Sequence, residues 1–169
     1  MVKSRSLCKE GDNVELFSHL FSDELVFLNF DCKDRFDFFE KISAILMKKG
    51  FVTGSFRTAI AEREKKFPTG LRTLPYHVAI PHTDPEHIVK PFIAVIRPKR
   101  PIEFFEMGTD DQKLEVSILF LLGLKKSEKQ TQLLSKLIEE VFMKQEVMED
   151  LIKVSDESQL INLLKTRVM

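Results

Sequence analysis

Short apolar runs alternate with segments of helical apolar spacing along most of the chain. The strand-like runs are residues 25–30, 78–80, 92–97 and 116–122. The segments with apolar residues at helical spacing are 34–50, 55–65, 133–142 and 155–164. Because strands and helices alternate and residues 116–122 are almost wholly apolar, we expect an α/β fold. The pattern predicts a single-domain sandwich in which a mixed β-sheet is flanked by helices on both faces.

Local signals mark where several of these elements begin and end. Asp34 can cap the helix that follows the first strand, and Gly50 can end that helix with a positive φ. The last helix is expected to begin near Ser155 and Asp156, with Gln159 as a capping-box partner. The prolines of segment 98–101 predict a turn, so we expect residues 92–104 to form a β-hairpin.

Length, charge and cysteine content narrow the class of protein. The chain has 169 residues, which suits one domain, and we expect residues 1–12 to be a mobile lead-in before a domain at 13–169. Its 26 basic and 26 acidic residues give no net field, which argues against nucleic acid as a partner. Two cysteines, no apolar leader and no long apolar run predict a cytoplasmic protein without a membrane span.

Residues 75–91 contain three of the four histidines. The run Val78-Ala79-Ile80 ends at Pro81, which places His82 at an accessible rim. The spacing His-x4-His-x4-His differs from a helical zinc pair, so a metal site is possible but not favoured, and we predict none. For His77 and His87 we favour ordinary hydrogen-bonded, partly buried side chains.

His82 can itself serve as a nucleophile toward a phosphoryl group. A neutral imidazole nitrogen can attack phosphorus in line if the other ring nitrogen is held by a hydrogen bond. The charge of the phosphoryl group then needs a cation and donors, for which Arg63, Thr69 and Thr83 are candidates, while Asp84 could orient the ring. Helical spacing alone leaves Arg63 open to a second interpretation, as a last-turn arginine that covers helix carbonyls.

Three ordered motifs make the chain similar to a known family. They are Glu62-Arg63-Glu64, Phe67-Pro68-Thr69-Gly70-Leu71 and Val78-Ala79-Ile80-Pro81-His82-Thr83-Asp84. The chain resembles, from about Leu25 onward, the enzyme IIA component of the bacterial phosphoenolpyruvate-dependent sugar phosphotransferase system, in the fructose–mannitol superfamily. The resemblance implies a phosphotransferase in which His82 takes a phosphoryl group from the histidine phosphocarrier protein and passes it to a cysteine of the cognate IIB component. It also implies that Arg63 steadies the phosphohistidine.

One departure from the family pattern points to a branch. Members of the mannitol and fructose types carry a second histidine where this chain has Glu128-Lys129-Gln130-Thr131. This difference, with Pro-His-Thr-Asp in place of Pro-His-Gly, resembles the galactitol-type branch and makes Gln130 a secondary site candidate. His87 could line the rim where partner proteins arrive.

The resemblance predicts a galactitol-like phosphocarrier without a cofactor. Its link to the membrane would be indirect, through the IIC transporter. A regulatory module, whose phosphorylation state controls a partner protein, remains the alternative.

Overall fold

The structure is a computed structural model, and it describes residues 9–169. The helices of this part are α1 (Lys9–Leu20), α2 (Arg35–Lys48), α3 (Phe56–Lys66), α4 (Glu128–Leu137), α5 (Gln145–Lys153) and α6 (Glu157–Val168). The strands are β1 (Val26–Phe30), β2 (Gly70–Leu71), β3 (His77–Ala79), β4 (Phe92–Pro98), β5 (Ile102–Phe105) and β6 (Lys113–Gly123). Short 3-10 helices at Asp23–Leu25 and Pro85–His87 and a π-helix at Ile138–Phe142 complete the chain.

A mixed six-stranded sheet forms the middle layer, with the order β1-β4-β6-β3-β2 and β5 paired to β6. β1 runs parallel to β4, and β3 runs parallel to β6, whereas β4 is antiparallel to β6. The long strand β6 is therefore central, as its apolar sequence predicts. Alternate residues of β6 serve opposite faces: Ile118 and Phe120 join one apolar core, and Leu119 and Leu121 join the other.

Helices cover both faces of the sheet, which confirms the predicted sandwich. The first core includes Phe17 of α1, Leu137 of α4, Leu151 of α5 and Leu160 of α6. The second core packs the sheet against α2 and α3. Each helix contributes an apolar face because its buried residues recur at helical spacing. None of the helices within residues 9–169 is long and apolar enough to cross a membrane.

The predicted hairpin between β4 and β5 is wrong. β3 and β4 both pair with Leu119 of β6, and β3 and β5 both pair with Val116, so β4 and β5 lie along the same edge of β6. Both run antiparallel to β6 and therefore in the same direction. The chain advances from Ile96 to Ile102 while β6 recedes only from Leu119 to Val116. The prolines of segment 98–101 thus lie where extra residues loop out between β4 and β5, and they do not reverse the direction of the chain.

The predicted helix ends are mostly confirmed, helical structure was expected in the region of α5, and α1 was missed. The side chain of Asp34 accepts a hydrogen bond from the Asp37 N–H, Asp156 accepts one from the Gln159 N–H, and Gly50 has φ +82°. The pattern gave no bounds for α1 or α5. Residues 9–12, expected to be part of a mobile lead-in, are helical, while that expectation for residues 1–8 lies outside the described residues.

Candidate functional site

Pro81 turns the chain from β3 to the end of β6, and this turn positions His82. The Ile80 N–H donates to the Thr69 carbonyl at 3.2 Å, and the Leu122 N–H donates to the Pro81 carbonyl at 3.0 Å. His82 then forms an isolated parallel bridge with Leu122. Because β3 and β6 are parallel, His82 lies where the carboxyl ends of two strands meet, a common place for ligand sites in α/β sheets.

The hydrogen bond of His82 distinguishes its two ring nitrogens. Nδ1 lies 2.9 Å from the carbonyl oxygen of Ile80. A carbonyl can only accept, so Nδ1 carries the proton and the lone pair of the neutral ring is on Nε2. The side chain is half-buried at the wall of an open pocket. The ring therefore has its free lone pair on Nε2, while a hydrogen bond holds Nδ1.

A pocket of about 280 Å³ adjoins His82 and has an apolar wall and a polar mouth. The apolar wall consists of Ile80, Leu122, Leu124 and Leu134. The polar residues at the mouth include Arg63, Thr83, Asp84, Lys126 and Thr131. Cationic side chains and two hydroxyl groups thus lie beside apolar side chains in one open pocket, and such donors can bind an anion.

Arg63 is aimed at this pocket from the last turn of α3. Its Nη1 donates to Oδ1 of Asp84 at 3.3 Å, and its guanidinium lies 4.9 Å from the ring centroid of Phe67. Its Nε is buried without a hydrogen-bond partner among residues 9–169. The guanidinium is therefore oriented by Phe67 and Asp84, and it retains donor capacity. The structure thus places Arg63 in the pocket lining, and its role as a site residue stays a prediction.

Two further candidates lie outside the pocket wall. Thr69 is buried, and its hydroxyl donates to Oε2 of Glu64 at 2.7 Å, so it is directed away from a ligand. Gln130 is 8% exposed, and its Oε1 has no hydrogen-bond partner in the described part of the chain. The next residue, Thr131, contributes to the pocket in its place.

The other two histidines of segment 75–91 have separate partners. Nδ1 of His77 lies 3.0 Å from the Thr73 carbonyl, and Nδ1 of His87 lies 2.8 Å from Oγ of Ser55. Both side chains are partly buried, which confirms the ordinary interpretation. His87 also lines a second cavity, with Arg63 and Asp84, beside the first. Within the described range, no group of three or more His, Cys, Asp or Glu residues is arranged to hold a metal ion.

Sequence reasoning missed Lys126, which lines the pocket, and it also missed two residues that shape the site. Lys125 donates from Nζ to the carbonyls of Pro85 and Ile88 at 3.1 and 2.6 Å, and so fixes the 3-10 turn that follows Asp84. Glu64 is 3% exposed and accepts both hydrogen bonds of Thr69, and burial raises the pKa of its carboxyl group. Glu64 lies beside Arg63 in the motif that carried the resemblance, but its burial could not be read from the motif.

Comparison with known families shows which family has a sequence like that of this chain. Residues 19–167 match the sequence model of the family described as phosphoenolpyruvate-dependent sugar phosphotransferase system, EIIA 2. The chain belongs to this family. As a type 2 EIIA domain it has a role in phosphoryl transfer within a sugar phosphotransferase system, a transferase role.

Curated relatives of this EIIA domain fall in two groups. The galactitol-specific EIIA component from Escherichia coli strain K12 is 30% identical over 101 residues, which are 60% of this chain and 67% of the relative. The transcriptional regulator ManR from Bacillus subtilis is also 30% identical over 101 residues, but these make up 14% of that protein. Similarity to a galactitol-type EIIA is thus shown.

Solved structures agree on the fold. The nitrogen regulatory protein IIA-Ntr from Neisseria meningitidis has a TM-score of 0.70 at 23% identity, covering 89% of this chain and 99% of that one. IIA mannitol from Escherichia coli has a TM-score of 0.66 at 20% identity, covering 85% of this chain and 98% of that one. At these identities the likeness concerns the fold alone.

Proposed function

We propose that this EIIA chain is a phosphocarrier in which Nε2 of His82 accepts a phosphoryl group from the histidine phosphocarrier protein and passes it to a cysteine of the cognate IIB component. The observation that carries this proposal is the 2.9 Å contact between Nδ1 of His82 and the Ile80 carbonyl, which leaves Nε2 as the nucleophilic nitrogen beside an open pocket. A carrier between these partners would work in the cytoplasm.

The transfer needs no base and no metal. The Nε2 lone pair attacks phosphorus while the bond from phosphorus to the donor's ring nitrogen breaks, and that electron pair returns to the donor. His82 keeps its Nδ1 proton, and the positive charge that develops on the ring is stabilised by the Ile80 carbonyl. In the second step a thiolate of IIB attacks, the P–Nε2 bond breaks, and His82 returns to its neutral tautomer.

The charge of the phosphoryl group, roughly −2, is met at the mouth of the pocket. Arg63 supplies a guanidinium that can form bidentate hydrogen bonds, and Lys126 adds a second cation. The Thr83 hydroxyl is the neutral donor beside the ring. Asp84 orients Arg63 rather than the ring, since its carboxylate contacts the guanidinium.

Gln130 remains a secondary candidate, because its carboxamide is polar, buried and close in sequence to Thr131 of the pocket wall. In this role it would donate a hydrogen bond to the phosphoryl oxygens after a rotamer change. The variant Gln130→Met, which keeps the volume of the side chain, tests this. A transfer rate equal to that of the parent protein would remove Gln130 from the site.

Partner proteins are expected to dock around the pocket, because a transfer between two proteins must keep water from the phosphoramidate. Leu124 and Leu134 provide apolar contact beside His82, and the exposed ring of Phe67 lies against the guanidinium of Arg63. His87 lies at the neighbouring rim. A solved structure of similar fold is a complex of enzyme IIA mannitol and phosphorylated enzyme IIB mannitol, which supports IIB as the acceptor. The galactitol-specific relatives support galactitol or a similar alditol as the transported compound.

Phosphorylation in a reconstituted system tests this function. The protein is incubated with labelled phosphoenolpyruvate, the first enzyme of the system and the histidine phosphocarrier protein. We expect acid-labile label in the parent protein and none in His82→Ala. The matched control is His19→Ala, which removes an exposed histidine of α1 and should label fully. Label that persists in His82→Ala would contradict the assignment.

The relative ManR favours one second candidate, a regulatory role for the phosphorylated domain. In that case His82 would still accept the phosphoryl group, but no IIB protein would remove it. Transfer from the labelled protein to a galactitol-type IIB component distinguishes the two roles. Rapid loss of label to IIB supports the carrier, and retention of label with every IIB component tested supports the regulator.

A further inference from the structure

Glu64 is a buried carboxyl group that the transfer step does not use. It follows Arg63 on α3 but lies outside the pocket, with 3% of its surface exposed. Its Oε1 accepts from the Thr69 N–H at 2.9 Å, and its Oε2 accepts from the Thr69 hydroxyl at 2.7 Å. Both carboxyl oxygens of Glu64 thus bind the same residue, Thr69. Burying a carboxyl group is costly unless it is well hydrogen-bonded, so the contact calls for a reason.

Hydrogen bonds continue from Thr69 to His82. The Thr69 carbonyl accepts from the Ile80 N–H at 3.2 Å, and the carbonyl of the same Ile80 lies 2.9 Å from Nδ1 of His82. Four residues are therefore linked in series from the buried carboxyl group to the nucleophile. Each hydrogen bond restrains the next one, because the N–H of Ile80 forms one bond of the series and the C=O of the same residue forms the following bond.

The segment that follows Thr69 is held by contacts that do not involve Glu64. Glu64 therefore restrains Thr69 from the side that those contacts leave free. Gly70 pairs with Ala79 of β3, and its carbonyl accepts from the Met107 N–H at 2.8 Å. A β-carbon at Gly70 would lie 2.6 Å from the Phe105 carbonyl oxygen, so the backbone is closely packed there. Thr69 is thus fixed between a packed strand and the carboxyl group of α3.

We propose that Glu64 is a positioning residue for phosphoryl transfer: through Thr69 it holds the Ile80 carbonyl that keeps the proton of His82 on Nδ1. This inference rests on the proposed function of His82. The chemical reason is that a neutral imidazole has one N–H and one lone pair. If the Ile80 carbonyl moves away, a fraction of His82 places its proton on Nε2, and that tautomer has no lone pair with which to accept phosphorus.

The tautomer of His82 can be measured without any partner protein. In protein labelled with 15N-histidine, the chemical shifts of the two ring nitrogens report which one carries the proton, at a pH above the titration of the ring. We expect Nδ1–H for His82 in the parent. In Thr69→Val, which removes the hydroxyl but keeps the shape, and in Glu64→Gln, we expect a substantial Nε2–H fraction. Thr69→Ser keeps the hydroxyl and should restore the parent tautomer.

Two controls separate positioning from general damage. Thr73→Val removes another buried threonine hydroxyl, which donates to the Tyr76 carbonyl, and should leave His82 unchanged. In the variants of Glu64 and Thr69, His77 serves as an internal reference, because its Nδ1 lies against the Thr73 carbonyl at 3.0 Å. Its shifts should stay at their parent values.

Transfer rates complete the test. We expect phosphorylation by the histidine phosphocarrier protein to slow about five- to tenfold in Thr69→Val, the factor set by loss of one net hydrogen bond, and to recover in Thr69→Ser. A parent-like tautomer in Thr69→Val, whether or not the protein loses thermal stability, would overturn the proposal. If Glu64→Gln does not fold, the Thr69 pair decides. If the parent protein is never phosphorylated, the proposed function fails, while the tautomer measurement still tests the positioning of His82.

Discussion

Nη1 of Arg63 lies 3.3 Å from Oδ1 of Asp84, at the mouth of the pocket that contains His82. Both side chains are accessible, with 35% and 63% of their surface exposed, so the pair contributes little to stability. The pair matters because Asp84 would compete with a bound phosphoryl group for the guanidinium of Arg63. A phosphoryl group on His82 would be attracted by the guanidinium and repelled by the carboxylate. Asp84 therefore orients Arg63 in the unphosphorylated protein, but its charge disfavours the state in which His82 is phosphorylated.

Asp84→Asn should therefore shift the phosphoryl equilibrium toward this protein. Removing the competing charge favours the phosphorylated state by about two- to fivefold, the range expected for an exposed ion pair. The measurement is the ratio, at equilibrium, of the phosphorylated histidine phosphocarrier protein to this EIIA protein in its phosphorylated form. Glu86→Gln, which removes an exposed carboxylate two residues away, is the matched control and should have a smaller effect. A shift of the phosphoryl equilibrium toward the histidine phosphocarrier protein would show instead that Asp84 is needed to orient Arg63.

Lys126 should contribute to the transfer rate through its charge. It is exposed at the mouth of the pocket, so Lys126→Met should slow phosphorylation by roughly two- to fivefold at low salt. The difference from the parent should shrink as ionic strength rises, because exposed charges are screened. Lys165→Met removes an exposed lysine of α6 and should leave the rate unchanged. An effect of Lys126→Met that is independent of salt would indicate a role in packing.

Burial of Glu64 should make part of the stability depend on pH. Desolvation raises the pKa of its carboxyl group, against the opposing effects of the Thr69 hydrogen bonds and of Arg35. The folded protein then binds a proton more tightly than the unfolded chain. The stabilisation is present below the unfolded pKa and is lost as the pH rises through the folded pKa, by about 1.4 kcal/mol for each unit of the shift.

Denaturant unfolding of the parent and Glu64→Gln tests this sign. From pH about 4 to neutral pH, the free energy of unfolding of the parent should fall relative to that of the variant. Glu62→Gln, at an exposed position of the same helix, should follow the parent throughout. A parent that gains stability relative to Glu64→Gln over this range would show that the hydrogen bonds of Thr69 outweigh burial.

Much of the fold was predictable because its signals are local. Asp34 and Asp156 cap the helices that follow them, and the apolar run of β6 marks a strand buried on both faces. Strand pairing is different, since it depends on which edge is free. β4 is flanked by β1 and β6, so no edge remains for β5 to form a hairpin. A proline turn alone does not reveal that constraint.

The site divides in the same way. The run that ends at Pro81 predicted that His82 lies at a strand end, and this position is confirmed. The hydroxyl of Thr69, in contrast, donates to Glu64 of the preceding helix, a tertiary contact without a local signature. The pocket wall likewise combines residues from β6, the loop after it and α4, which sequence spacing does not bring together. The direction of each side chain decided what the spacing left open.

Gly123 links the packing of the sheet to the position of His82. It is the last residue of β6, pairs with Phe92, and follows Leu122, which bridges to His82. A β-carbon at Gly123 would overlap the buried ring of Phe92. Gly123→Ala should therefore lower the free energy of unfolding by about 1–3 kcal/mol through overpacking.

The control is Gly54→Ala, at an exposed glycine whose β-carbon would meet only Sδ of Met47, at 3.9 Å. That variant should change stability by less than about 0.5 kcal/mol. Because the ring of Phe92 must move to accommodate the added methyl group of Gly123→Ala, the end of β6 should shift, and phosphorylation of His82 should slow as well. Equal stabilities of the two variants in denaturant unfolding would show that the Phe92 ring yields without cost, and the link to His82 would then be absent.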